Sequence, residues 1–235
     1  MKNMIIASTS TLHGSDYLEY LLDDLTTLFK DASEIIFIPY ARPSGISHDD
    51  YTEKVSEAFF KINKQVKGIH TFKNPVTAIK NAEAIFVGGG NTFVLLYQLY
   101  KNNLIPILKE NVASGTPYLG TSAGSNICGL TIKSTNDMPI VYPPSFNAIG
   151  LVPFNINPHY LDPDYNSKHM GETRETRIHE FHHFNTQPVI GLREGSWLQV
   201  KNNSIILKGD LTARIFEQNK AAYEAASGTE LNTLK

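Results

Sequence analysis

The chain has 235 residues, 41% hydrophobic and 19% charged, and its 21 basic against 23 acidic side chains leave a net charge of −2. That near balance excludes a global field suited to nucleic acid or an anionic membrane and fits a small uncharged or mixed-charge ligand. Cys128 is the only cysteine, which excludes an intrachain disulfide framework, and no apolar stretch reaches the about 18 residues of a membrane-spanning helix. The apolar run in MKNMIIAST is also too short for a signal segment, so one soluble, cytoplasmic domain over residues 1–235 is expected.

Met4 to Ala7 is short, apolar and stopped by turn formers, which predicts a buried strand. In DYLEYLLDDLTTLF, the residues Leu18, Leu21, Leu22, Leu25, Leu28 and Phe29 recur at helical spacing behind the cap candidates Ser15 and Asp16. EIIFIPYA at 34–41 repeats the strand signal, and Val55, Phe59, Ile62 and Val66 predict a helix over 51–66. Ile69 to Phe72 and Ala84 to Val87 are further strand-like runs, the second ending in Gly88, Gly89 and Gly90 before the helical pattern TFVLLYQLY. Residues 104–114 predict another helix, ended by Gly115 and Pro117, and Tyr118 to Thr121 a strand leading to Ser122.

Strands alternating with amphipathic helices predict an α/β fold, a mostly parallel sheet covered by helices on both faces. After residue 185 the pattern changes. VIGL, SWLQV, SIILKG and ARIFEQ read as strands, two of them joined by Lys201, Asn202 and Asn203 into a C-terminal antiparallel hairpin. The last residues, about 228–235, are expected to fray.

Gly120-Thr121-Ser122-Ala123-Gly124 matches G-x-S-x-G, whose small flanking residues permit a sharp strand-to-helix turn that lifts a serine hydroxyl above a sheet edge. The same residues also suit a serine N-cap at a tight turn. A nucleophilic serine needs a base, itself oriented by a third group. His159 in NINPHYLD follows the run LVPFNI, which would deliver it to the sheet edge of Ser122; His13, His48 and His70 are expected to face solvent. Glu194 in GLREGSW and Asp137 in STNDMPIV both remain open as the orienting acid. The order serine, histidine, Glu194 departs from the serine, acid, histidine order of α/β-hydrolases.

In the loop Gly88 to Thr92 the three glycines leave no Cβ to keep a ligand from their backbone, and the loop lacks both common nucleotide-binding patterns. An oxyanion hole shared between Gly89 or Gly90 and Ala123 is the functional expectation. His179-Glu180-Phe181-His182-His183 spells the zinc-hydrolase pattern H-E-x-x-H. It falls in the last turn of a helical segment, where histidines suit the carbonyl end, and Thr186 and Val189 stand where the extended pattern needs glycine and histidine. No metal and no cofactor are therefore expected, with a zinc hydrolase using His179 and His183, or a noncatalytic ligand-binding domain, as the alternatives.

Taken together, STSTLHG, FVGGGNTF, GTSAGSN, STNDMPIV, NINPH, GETRETRI and IGLREGSWLQV resemble peptidase E, the family of α-aspartyl dipeptidases, serine peptidases related to the cyanophycinases. The resemblance implies a fold like that of class I glutamine amidotransferase domains and a metal-free triad of Ser122, His159 and Glu194. It further implies dipeptide substrates with an amino-terminal aspartate. Arg174 in GETRE would take the aspartate carboxylate, Asp137 would take the α-ammonium or assist His159, and Asn91 joins them as a substrate-binding residue.

Overall fold

Residues that alternate along the first strand part company in the folded chain. In β1 (Asn3–Ala7), Met4 and Ile6 join one apolar cluster, whereas Ile5 and Ala7 join another on the opposite face of the sheet. The same division holds for β2 (Glu34–Ile38), where Ile36 and Ile38 face one way and Ile35 and Phe37 the other. A sheet buried on both faces needs helices on both. In the computed structural model, which describes residues 1–164, 166, 168 and 170–234, α1 (Leu22–Leu28) and α2 (His48–Phe60) cover one face. On the other face lie α3 (Pro75–Lys80), α4 (Thr92–Lys101) and α5 (Leu104–Ser114).

With β3 (Gln65–Gly68), β4 (Ile85–Val87) and β5 (Tyr118–Thr121), β1 and β2 form the parallel part of a seven-stranded sheet of order β3-β2-β4-β5-β1-β8-β9. The antiparallel hairpin of β8 (Trp197–Lys201) and β9 (Ser204–Lys208) completes that sheet beside β1. The α/β class with a mostly parallel sheet is thus as expected. The fold adds a second sheet of four strands, order β11-β10-β7-β6, made of β6 (Asn155–Pro158), β7 (Val189–Leu192), β10 (Ala213–Phe216) and β11 (Tyr223–Ala225). Its β6 and β7 run parallel, so the VIGL run is not part of a purely antiparallel C-terminal region.

Three local expectations are corrected. The helix predicted over 51–66 ends at Phe60, and Val66 lies in β3, because Lys61, Ile62, Asn63 and Lys64 turn back onto the last turn of α2 and Asn63 adopts φ 56°. Ile69 to Phe72 is no strand: Ile69–Thr71 form a 3-10 turn after β3, with only Ile69 buried. The tail, expected to fray, docks instead. Leu207 N donates to Thr229 O and Leu231 N to Ile205 O, and Leu231 and Leu234 are buried against the main core, covering the outer edge of β9. No helix among the described residues is long and apolar enough to cross a membrane.

The carboxyl ends of β1, β4 and β5 are neighbours in this sheet, which brings Ser8, the Gly88–Gly90 loop and Ser122 to one edge, where ligands enter open α/β sheets.

Candidate active site

Ser122 stands between β5 and α6 (Ala123–Asn126) at φ 54°, ψ −111°, a backbone conformation unusual for a residue with a Cβ. The turn around it is held on several sides. Ser122 N donates to Ala7 O at 3.2 Å, Ser125 Oγ reaches Ala7 O at 2.6 Å and Gly120 O at 2.8 Å, and Tyr118 OH donates to Gly124 O at 2.8 Å. A side chain at Gly124 would collide with the carbonyl of Val87, so the elbow packs directly on β4.

His159 follows β6, hence the second sheet rather than the one carrying Ser122, and it too has positive φ, 53°. Two contacts bring it across. Asn126 Nδ2 donates to Ile156 O at 2.9 Å, tying α6 to β6. Ser8, fully buried at the end of β1, accepts from His159 N at 2.8 Å and donates to Leu192 O at 2.7 Å, fastening the ends of β6 and β7 to the main sheet. Glu194 then follows β7 in a turn at Gly195.

His159 Nδ1 is 2.6 Å from Glu194 Oε1, and His159 Nε2 is 2.8 Å from Ser122 Oγ. An ionised carboxylate can only accept, which puts the proton on Nδ1 and leaves Nε2 free to accept from the serine hydroxyl. Serine, base and acid thus form one directed chain of hydrogen bonds. Asp137, the other acid considered, is engaged elsewhere: its Oδ2 accepts from Thr92 N at 2.7 Å and Thr135 Oγ1 at 3.2 Å, and it makes no hydrogen bond to His159. A carboxylate beside the first N–H groups of α4 is favoured by the helix dipole. Its Oδ1 carries no donor among the described residues.

Of the backbone donors considered for an oxyanion, Gly89 is corrected. Its N–H points to Tyr51 OH at 3.1 Å, behind the loop. The N–H groups of Gly90 and Ala123 have no acceptor among the described residues. Gly90 has φ 144° and its absent Cβ would strike Ala41 O, so only glycine fits where its N–H is presented. Asn91 is corrected as a substrate ligand. Its Oδ1 caps α4 through Val94 N at 3.1 Å and its Nδ2 donates to Met138 O at 2.9 Å.

Arg174 opens α7 (Arg174–Phe181), half-buried, and pairs with no carboxylate among the described residues; Glu172 lies beside Arg177 and Glu175 beside Arg214. Burial, and then Arg177, lower its pKa, while the charges of Asp137 and Glu194 oppose that shift. The cation therefore lies within the field of the candidate site. Cys128 is buried and its thiol is pushed up to about 12, chiefly by desolvation, which makes it a packing residue at neutral pH.

The remaining histidines separate from this group. His70, expected in solvent, is mostly buried, with Nε2 2.8 Å from Asp49 Oδ1 and its ring 5.3 Å from that of His48, also half-buried. The H-E-x-x-H segment runs past the end of its helix: α7 stops at Phe181, His179 packs edge-on against Phe216, and His182 is buried with Nε2 at Gln187 O. No group of three or more histidine, cysteine, aspartate or glutamate side chains that could hold a metal occurs among the described residues.

Residues 4–208 match the model of peptidase family S51. The chain is 47% identical to peptidase E of Streptomyces coelicolor, over 99% of this chain and 94% of that protein. It is 46% identical to a probable alpha-aspartyl dipeptidase of Drosophila melanogaster, over 99% and 97% of the two chains. Among solved structures it resembles a peptidase from an acI-B1 actinobacterium, with a TM-score of 0.74 at 17% identity over 98% of this chain and 96% of that one. A putative peptidase E protein from Listeria monocytogenes gives 0.60 at 22% identity, over 96% and 98%. At those identities the two structures bear on the fold alone.

Proposed function

The chain belongs to peptidase family S51, and from that premise we propose that it is a serine dipeptidase that cleaves dipeptides with an amino-terminal aspartate through an acyl-enzyme on Ser122. The observation that carries this reading is the continuous chain from Ser122 Oγ through His159 to Glu194, at 2.8 and 2.6 Å. Ser122 Oγ attacks the peptide carbonyl while His159 Nε2 takes its proton, and Glu194 stabilises the imidazolium that results. The oxyanion forms opposite the N–H groups of Gly90 and Ala123, a reading supported by their having no acceptor among the described residues. His159 then returns the proton to the leaving amine. A water activated in the same way opens the ester and releases aspartate.

Two charged groups give the selectivity. Arg174 offers a guanidinium fork to the side-chain carboxylate of the first residue, and the open Oδ1 of Asp137 receives its α-ammonium. A free ammonium can be recognised only at a chain end, which limits cleavage to the first peptide bond. The reading is tested with dipeptides bearing Asp, Asn, Glu or Ala first, each with and without a chelator. A kcat/KM highest for Asp and indifferent to chelation is expected; no turnover, or equal turnover of Ala-first peptides, would refute it.

A further inference from the structure

Each of the three groups given above to base, acid and carboxylate recognition has a chain neighbour in one ion network. Tyr160 follows His159, Glu175 follows Arg174, and Arg193 precedes Glu194. Arg193 donates through Nε and Nη2 to the two oxygens of Asp162 at 2.9 and 2.7 Å, and through Nη1 to Glu224 at 2.9 Å and Thr212 O at 2.8 Å. Its guanidinium also lies over the Tyr160 ring, 5.5 Å from the centroid. Arg214 on β10 joins Glu224 at 3.4 Å to Glu175 Oε1 at 3.2 Å, and Tyr160 OH donates to Glu175 Oε2 at 3.2 Å.

Ion pairs on an open surface hold little, but the side chains of Arg193, Arg214 and Glu175 retain only 15, 25 and 25% of their exposure. Along α7 only Ile178 is buried, with Phe181 and the His179 ring packed beside it towards the far end, so the bonds of Glu175 are what tie its first turn to the second sheet. Successive helix residues point about 100° apart, so Glu175 can anchor the first turn on the second sheet while Arg174 presents a different face.

We propose that Glu175, held by Arg214 and Tyr160, is a positioning residue that sets the first turn of α7, and through it the Arg174 guanidinium, relative to Ser122, His159 and Glu194. It thereby determines selectivity for the carboxylate of the first residue. The proposal rests on the reading of Arg174 above. Neutralising the anchor loosens the placement of Arg174 without touching the hydrogen-bond chain at Ser122, so binding of Asp-first substrate suffers and the chemistry does not.

The test compares Glu175→Gln, Arg214→Gln and the double variant with the unsubstituted chain, measuring kcat and KM on Asp-first and Ala-first dipeptides, the rate at which a neutral acylating probe labels Ser122, and thermal unfolding. Each single variant is expected to raise KM for the Asp-first peptide about tenfold with kcat and labelling nearly unchanged. The double should be no worse than either single, since both break one link. Tyr160→Phe, which removes only one hydrogen bond from Glu175 and keeps the ring, should raise KM about threefold and serves if Glu175→Gln does not fold. Unchanged KM and unchanged Asp preference in a folded variant, additive losses in the double, or a parallel fall in Ser122 labelling would each overturn the proposal. An unsubstituted chain without Asp preference would overturn the reading of Arg174 first, and this proposal with it.

Discussion

Replacing Ser122 by alanine should lower kcat/KM for an Asp-first dipeptide by about 10⁵-fold, roughly 7 kcal/mol of transition-state stabilisation, while substrate still binds. The hydroxyl supplies the attacking atom, and no other nucleophile lies in the chain of hydrogen bonds that ends at Glu194. The fold should hardly notice. Among the described residues the Ser122 side chain makes only the bond to His159, and the strained backbone at φ 54° is held by Ser125, Tyr118 and Gly124, all of which remain. A stability change within about 1 kcal/mol by thermal unfolding is therefore expected. Because serine and base act as one unit, removing His159 as well should cost little more. A folded Ser122→Ala protein that keeps comparable hydrolysis would refute the assignment.

Arg174→Met should cut kcat/KM for the Asp-first peptide by about a thousandfold, on the order of 4 kcal/mol, and leave Ala-first peptides nearly as they were. Methionine keeps most of the apolar stem and its packing on α7, so the change isolates the charge. The loss is large because the substrate carboxylate would meet the charges of Asp137 and Glu194 without the Arg174 guanidinium that offsets them. Lysine should restore only part, since a point charge lacks the planar fork. Steady-state kinetics on the two peptides decides it; an equal fall on both would move Arg174 from selectivity to the fold.

The parallel sheet was legible because its signals are local. Alternating apolar runs and helical spacing from Met4 to Thr121 reflect burial on two faces, and Gly88–Gly90 and Gly115 mark two of the turns between them. Ser122 and the Gly88–Gly90 loop were legible for the same reason, since a sharp turn at a strand end restricts which residues fit. The second sheet was not legible, because residues 159–188 separate β6 from β7 in sequence and the two pair in parallel, which no turn residue announces. Ser8 and Tyr51 escaped notice for a related reason. Their work is done by hydrogen bonds to residues 151 and 38 positions away, and neither residue type nor context marks those bonds. The choice between Glu194 and Asp137 likewise depended on geometry: both follow plausible strands or loops in sequence, but only one side chain reaches His159. The tail reads as frayed from its place at the chain end, and Leu231 and Leu234, three residues apart, are the one sign in it of a buried side.

The most direct measurement is mass spectrometry of the protein quenched in acid during turnover of an Asp-first dipeptide, followed by peptide mapping. A single aspartyl group esterified to Ser122, appearing before steady state and absent from Ser122→Ala, is the expected result. Turnover with no covalent adduct under conditions where hydrolysis of the ester is slowed, or an adduct on any other residue, would contradict it.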